Sequence, residues 1–190
     1  MRVALLSAGP SLVQTFDPDE RFDLRIGVNS AVSVFVCDWW SCGDGQTFHR
    51  VEAVGLPVLF VMQPDCSWYR QTSAIRDRFA RHRVVGWDKV RDSVTPPNEW
   101  SNWSVTAALA LAVEQGASRV DVYGHDCRGI VDVSGHTLAK REDTWKRASN
   151  SVPHCWRITR DWAASRGVEI IEHQPEIDPC ESPPSSPPRA

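Results

Sequence analysis

The amino-acid sequence predicts an α/β protein built on one mostly parallel sheet with helices on both faces. Strand-like apolar runs alternate along the chain with segments of helical periodicity, the pattern of parallel strands joined by crossover helices. The continuous apolar run at 57–62, PVLFVM, is typical of a strand covered on both faces. The first strand ends in a turn of small residues, SAGPS, which leads into a helix-compatible stretch. Together these observations predict a single Rossmann-like domain.

Each element follows from its local pattern and its stop signals. The clearest helix spans 102–115, where apolar residues recur at helical spacing from Val105 to Val113 and Gly116 ends the pattern. A shorter helix at 47–54 is stopped by Gly55 and Pro57. The predicted strands are 2–7, 24–29, 33–41, 57–62, 83–87, 118–124 and 168–173, and the remaining predicted helices are 68–81 and 154–166.

Length and composition set the domain organisation. The 190 residues are 42% hydrophobic and 24% charged, the balance of one ordinary globular domain. We expect this domain to cover residues 1–176, with a polar lid or loop at 125–153. The Pro/Ser-rich tail at 177–190 is predicted to be disordered, because it cannot bury enough apolar surface to order itself.

Charge and cysteine content exclude several function classes. The net charge of −3 gives no support to a general polyanion-binding surface, although a local basic patch stays open. The six cysteines form no C-x-x-C pair, so we expect reduced thiols and no metal site. With no apolar run of about 20 residues and no signal peptide, the expectation is a cytoplasmic protein with no membrane partner, in the host cytoplasm if phage-encoded.

The turn after the first strand, which we call the opening turn, comprises Ser7, Ala8, Gly9, Pro10 and Ser11. Ligands of such sheets bind beyond the carboxyl ends of the strands. Gly9 permits a sharp turn and a close approach of backbone to ligand, and Ser11 supplies a hydroxyl and a helix N-cap. The turn is interpreted either as a cradle for phosphate or as a plain strand-to-helix connection.

Other candidates lie at the remaining strand exits. Asn29 can donate and accept hydrogen bonds at once, which suits a ribose or a phosphate. Ser104 lies in the first turn of the clearest helix, whose positive end would face the site. The donor-binding candidates outside the opening turn are Asn29, Ser30, Gly43, Ser104, Gly124 and Asp126.

Two residue types at these exits suit catalysis. Asp44 is a carboxylate that can orient a sugar or an acceptor, or simply form a turn before Gly45. His125 follows a strand and titrates near neutrality, so it is the candidate general base. His136 is the alternative catalytic histidine, and His154 is a further one.

The order and spacing of these motifs resemble a known family. The segments SAGPSL, IGVNSAV, CDWWSCGDG and SVTAALALAVEQGASRVDVYGHDCRG are similar to those of the bacterial sialyltransferases that include the Campylobacter lipooligosaccharide enzymes. They also resemble related phage and archaeal proteins of the 6-hydroxymethylpterin pyrophosphokinase-like Rossmann type. The resemblance covers residues 2–130 and implies a nucleotide-binding, GT-A-like domain. It departs at Ala8, where the family has asparagine, and the family's catalytic His and paired Tyr cannot be placed.

The leading hypothesis is a metal-independent glycosyltransferase that takes a nucleotide-sugar donor and needs no cofactor. Its acceptor would be a hydroxyl group, either on a glycan or on a hydroxymethylated base in phage DNA. A flipped base would stack on tryptophan, and the arginines of 70–91 and 140–160 would hold the DNA backbone. The oligomeric state is left open.

Two alternatives come from other classes. A pyrophosphokinase acting on a pterin-like alcohol would need Mg, with Asp38, Asp44 and Asp126 converging as its ligands. A non-catalytic nucleotide-binding module would bind its ligand without turnover, whichever histidine is removed.

Overall fold

The fold is a seven-stranded, all-parallel sheet flanked by helices, as the sequence predicts. A computed structural model describes residues 1–43, 45–61, 80–86, 104–126, 132–135 and 142–175. The strands are β1 (Arg2–Leu6), β2 (Leu24–Val28), β3 (Trp39–Cys42), β4 (Val58–Val61), β5 (Val84–Gly86), β6 (Arg119–Tyr123) and β7 (Glu169–His173). Their spatial order is β5-β4-β3-β2-β1-β6-β7.

Helices connect the strands on both faces. They are α1 (Leu12–Thr15), a 3-10 helix (Asn29–Ser33), α2 (Gly45–Arg50), α3 (Ser104–Glu114) and α4 (Glu142–Ser165). Alternate residues of each strand point to opposite faces, so the sheet has two apolar cores. One core packs Leu5, Val122 and Trp156 with α3. The other packs Leu6, Trp40 and neighbouring side chains with α1, the 3-10 helix and α2.

Two predicted elements differ from the structure. The predicted strand at 33–41 is strand only from Trp39, because the chain leaves β2 through the 3-10 helix and buries Ala31 and Val32 there. The predicted lid at 125–153 is helical from Glu142 onward, because α4 continues through Pro153. A proline inside a helix removes one backbone hydrogen bond, so the local pattern favours a start after it. In the structure the helix nevertheless begins at Glu142, eleven residues before Pro153.

Several predictions lie outside the described residues. These are the tail at 177–190, most of the helix at 68–81, and the loop portions 127–131 and 136–141. Within the described part, Cys37, Cys42 and Cys155 are buried. Burial raises the pKa of the Cys37 thiol to about 12, so this thiol stays protonated and unreactive. No helix in the described ranges is long and apolar enough to cross a membrane.

Candidate functional site

The strand order identifies one crevice at the carboxyl edge of the sheet. The chain proceeds from β1 outward through β2 to β5 on one side, then returns to place β6 and β7 on the other side of β1. The order therefore reverses between β1 and β6, the switch point at which open α/β sheets bind ligands. The opening turn follows β1, and Gly124, His125 and Asp126 follow β6, so the structure brings these two predicted groups together.

The backbone donors of the opening turn are mostly engaged within the protein. Ser7 N donates to Tyr123 O at 2.8 Å, and Gly9 N donates to Gly124 O at 2.9 Å. Ser11 N donates to Asp126 Oδ2 at 2.9 Å, and the Ser11 hydroxyl donates to Asp126 Oδ1. Pro10 has no N–H to offer. The turn thus joins the exits of β1 and β6, and it already donates hydrogen bonds to a carboxylate of the protein, that of Asp126.

Two glycines allow this close approach. A Cβ at Gly9 would overlap the carbonyl oxygen of Gly124 and the carboxylate of Asp126. Gly124 adopts φ +65°, and a Cβ there would lie 2.7 Å from Ser7 O. The sequence of the turn predicts close approach of a ligand to Gly9, whereas in the structure the immediate neighbours of Gly9 are the residues that follow β6. Glycine is required at both positions for the two strand exits to meet.

His125 lies beside the opening turn on the side of α4. It is 8% exposed and meets the Trp156 ring edge-on, with ring centroids 4.4 Å apart. Burial lowers the pKa of His125, and the nearby carboxylates of Glu172 and Asp126 oppose that shift only in part. The imidazole is therefore neutral at neutral pH, the state in which a general base accepts a proton. His154 is exposed on α4, 3.3 Å from Arg157 Nη2.

The β2 exit presents a second polar group. Asn29 adopts φ +51°, a left-handed conformation that asparagine tolerates better than most residues. Its backbone oxygen accepts a hydrogen bond from Trp40 Nε1 at 2.9 Å. In the part of the chain that the structure describes, the buried Asn29 Oδ1 has no hydrogen-bond partner. A buried acceptor left open at a strand exit is available to a ligand donor.

Asp132 is a member of this site that sequence reasoning missed. Its Oδ2 accepts from Ser30 Oγ at 2.9 Å and pairs with Arg50 Nη2 at 3.1 Å. The next residue, Val133, donates its N–H to Ala8 O at 2.8 Å. Residues 132–135 thus fasten the opening turn, the 3-10 helix and α2 together. The turn-forming pattern DVSG was the available signal, since an aspartate bonds its own backbone two residues on, as Asp132 Oδ1 does with Ser134 N.

The amino end of α3 lies beside the β3 exit. Gly43 N donates to Ser104 Oγ at 3.3 Å, and Ser41 Oγ donates to Ser104 O at 2.9 Å. The structure therefore brings the predicted pair Gly43 and Ser104 together at the carboxyl edge. Asp44 and His136, the other two catalytic candidates, fall outside the described residues.

The proposed set of magnesium ligands does not converge. Asp38 precedes β3, where its Oδ2 accepts the Arg25 N–H at 2.8 Å, in register with the middle of β1. Asp126 lies beyond the carboxyl end of β6, which is separated from β3 by β2 and β1. The expectation that Asp38 joins Asp126 at one ion is therefore wrong. Across the described ranges, no group of three or more His, Cys, Asp or Glu side chains is arranged to hold a metal ion.

Comparison with known proteins supports the fold through structure rather than through sequence. No family model matches the chain, and no curated protein sequence matches it significantly. Among solved structures, the sialyltransferase CstII from Campylobacter jejuni, in complex with the substrate analogue CMP-3FNeuAc, matches with a TM-score of 0.54 and 11% identity. The match covers 92% of this chain and 81% of that one. The chain therefore has a Rossmann-like α/β fold in common with a glycosyltransferase.

Proposed function

We propose that this protein is a glycosyltransferase that transfers a sugar from a nucleotide-sugar donor to a hydroxyl acceptor. The observation that carries the proposal is the crevice between β1 and β6, where the opening turn, His125 and Asp126 meet at the switch point. The shared fold with a sialyltransferase that binds a CMP-sugar analogue supports the same substrate class. The acceptor is a hydroxyl on a glycan or on a hydroxymethylated base in phage DNA, in the cytoplasm of the cell or of an infected host.

The described residues supply roles for a metal-independent transfer. His125, held neutral by burial, takes the acceptor proton while the acceptor oxygen attacks the anomeric carbon. The bond from that carbon to the phosphate oxygen breaks, and the departing phosphate keeps the electron pair. The Ser104 hydroxyl at the amino end of α3 accepts from Gly43 N and donates its own O–H to that negative charge, while the open Asn29 Oδ1 accepts a hydroxyl of the sugar or the nucleoside. Asp44, which lies outside the described residues, would orient the acceptor or the sugar.

A ligand screen followed by a turnover assay tests the proposal. A nucleotide that binds only the folded state raises Tm, so a thermal-shift series with CMP-, UDP-, GDP- and dTDP-sugars and ATP identifies the donor. The stabilising nucleotide sugar should then be consumed in the presence of EDTA, with sugar transferred to a hydroxyl acceptor. Stabilisation by ATP alone, with no nucleotide sugar bound, would contradict the proposal. So would a rate that disappears on chelation and returns only with Mg.

A further inference from the structure

Most backbone donors of the opening turn are engaged within the protein. The amides of Ser7, Gly9 and Ser11 all donate to residues at the end of β6 or just beyond it, and Leu12 N donates to Gly9 O at 3.1 Å. Helix α1 has only four residues, so its dipole adds little at this point. Three of the four backbone N–H groups of the turn therefore donate within the protein, in contrast to the open amides of a phosphate-binding loop.

The internal anion makes phosphate binding at this turn still less favourable. The Asp126 carboxylate accepts both the N–H and the hydroxyl of Ser11. A phosphate oxygen that reached the Ser11 amide would displace this carboxylate or lie within a few ångströms of it. Two like charges at that separation repel strongly in a partly buried crevice. The donor phosphates therefore belong elsewhere along the carboxyl edge.

The Asp126 carboxylate can accept further hydrogen bonds. A carboxylate offers about four lone-pair positions, and Ser11 fills one on each oxygen. Within the described ranges Asp126 has no other hydrogen-bond partner, and it is partly exposed at the crevice. What the turn presents to a ligand is thus a fixed pair of acceptors, which is complementary to a group that carries two neighbouring hydroxyl donors.

Resting on the proposed function, we propose that Asp126 binds the two ribose hydroxyls of the nucleotide and that the opening turn positions this carboxylate. Ser11 holds both carboxylate oxygens in place, and Gly9 and Gly124 allow the turn to approach closely enough. The ribose then lies at the switch point between β1 and β6. Asp126 becomes a specificity-determining residue that selects ribonucleotides over their deoxy analogues.

Calorimetry with matched nucleotides tests this assignment. The probes are CMP, UMP, GMP and AMP, each compared with its 2′,3′-dideoxy form. We expect wild-type protein to bind its preferred ribonucleotide at least about tenfold more tightly than the dideoxy form, since hydrogen bonds to a charged group are among the stronger ones. Asp126→Asn should remove most of this preference. Asparagine can still accept from Ser11 N, so thermal unfolding should report a folded variant.

Asp38→Asn is the matched control, because Asp38 also accepts a backbone N–H but lies away from the carboxyl edge. It should leave the preference for ribose unchanged. Equal binding of ribo and dideoxy forms by wild-type protein would overturn the assignment without any variant. Tighter nucleotide binding by Asp126→Asn would also overturn it, because it would place phosphate beside the carboxylate. Failure of every nucleotide to bind would instead reject the proposed function itself.

Discussion

Two aspartates, one within β6 and one just beyond it, differ in how fully their carboxylates are hydrogen-bonded. Asp121 is fully buried and accepts hydrogen bonds from Arg2 Nε at 2.8 Å, Arg119 Nη2 at 2.8 Å and His173 Nε2 at 2.9 Å. Asp126 is partly exposed and accepts only from Ser11. The first carboxylate is saturated by two arginines and a histidine, whereas the second keeps half of its acceptor positions.

The surroundings of Asp121 explain why it belongs to the fold. Arg2 also pairs with Glu20 at 2.6 Å and lies over the Phe22 ring, and the Tyr123 hydroxyl donates to Glu20 at 3.2 Å. This network joins β1, β6 and β7 to the loop before β2. A buried carboxylate is tolerated only when such partners compensate its lost hydration. Asp121 is therefore a structural carboxylate, whereas Asp126 keeps acceptors available for the ribose hydroxyls that we propose.

Removing the saturated carboxylate should have the largest effect. Asp121→Ala leaves Arg2 and Arg119 without their shared partner and should lower the free energy of unfolding by about 3 kcal/mol, the lower end for a broken buried pair because both arginines are partly exposed. Urea denaturation followed by circular dichroism measures it. A loss of less than about 1 kcal/mol would show that the network contributes little to the fold.

Catalysis should depend on the catalytic candidates His125 and Asp44 rather than on the network around Asp121. His125→Ala and Asp44→Asn should each lower kcat by about 100-fold or more while donor affinity changes little, the usual scale for loss of an acid–base group. Because burial lowers the pKa of His125, activity in wild-type protein should persist below pH 6.5, the ordinary histidine value.

His82→Gln is the control for that pair, since His82 Nδ1 contacts Pro57 O before β4, away from the carboxyl edge. It should leave kcat within about twofold of wild type, as surface substitutions away from a site usually do. Full activity of His125→Ala combined with loss of activity in His136→Ala or His154→Ala would move the base to that histidine.

The junction between the two strand exits should tolerate no side chain at Gly9. Gly9→Ala places a methyl group against Gly124 O and Asp126, so we expect it to cost about 2 kcal/mol, within the range for overpacking. Gly116→Ala is the comparison, because nothing lies within 4 Å of its Cβ position and its cost comes only from φ +83°. Equal binding and stability of Gly9→Ala and wild-type protein would contradict the close contact.

The smallest expected effect is on the pH dependence of stability, through the ionisation of Asp121. Burial disfavours the Asp121 anion, but the hydrogen bonds from Arg119, Arg2 and His173 outweigh it and hold the pKa of this carboxyl well below its ordinary value. A depressed pKa in the folded state gives stability that is present above about pH 4, the unfolded-state value, and is lost as pH falls below it. The fall in stability between pH 4 and pH 2 should be shallower in Asp121→Asn. An unchanged slope would contradict this linkage.

Much of this architecture could be predicted from local sequence, because apolar runs that end at glycine indicate the parallel strands and α3. The predicted exits at Ser7–Ser11, Gly124–Asp126 and Ser104 meet at one edge because a parallel sheet gathers them. The role of Asp121 could not be predicted. In the alternating run RVDVY it resembles a solvent-facing position, and its burial depends on Arg2, 119 residues away in sequence. The hydrogen bond from Ser11 N to Asp126 is equally long-range. The sequence of the turn alone therefore could not show that the Ser11 amide is already engaged.

The most direct test of the account compares Asp121→Asn and Asp126→Asn side by side for Tm and for Kd of the nucleotide that stabilises wild-type protein. Asp121→Asn should lower Tm by several degrees and leave Kd unchanged. Asp126→Asn should keep Tm close to wild type and weaken binding by at least about tenfold. Unchanged Kd in Asp126→Asn, or weakened binding only in Asp121→Asn, would contradict the claim that the crevice between β1 and β6 is the nucleotide site.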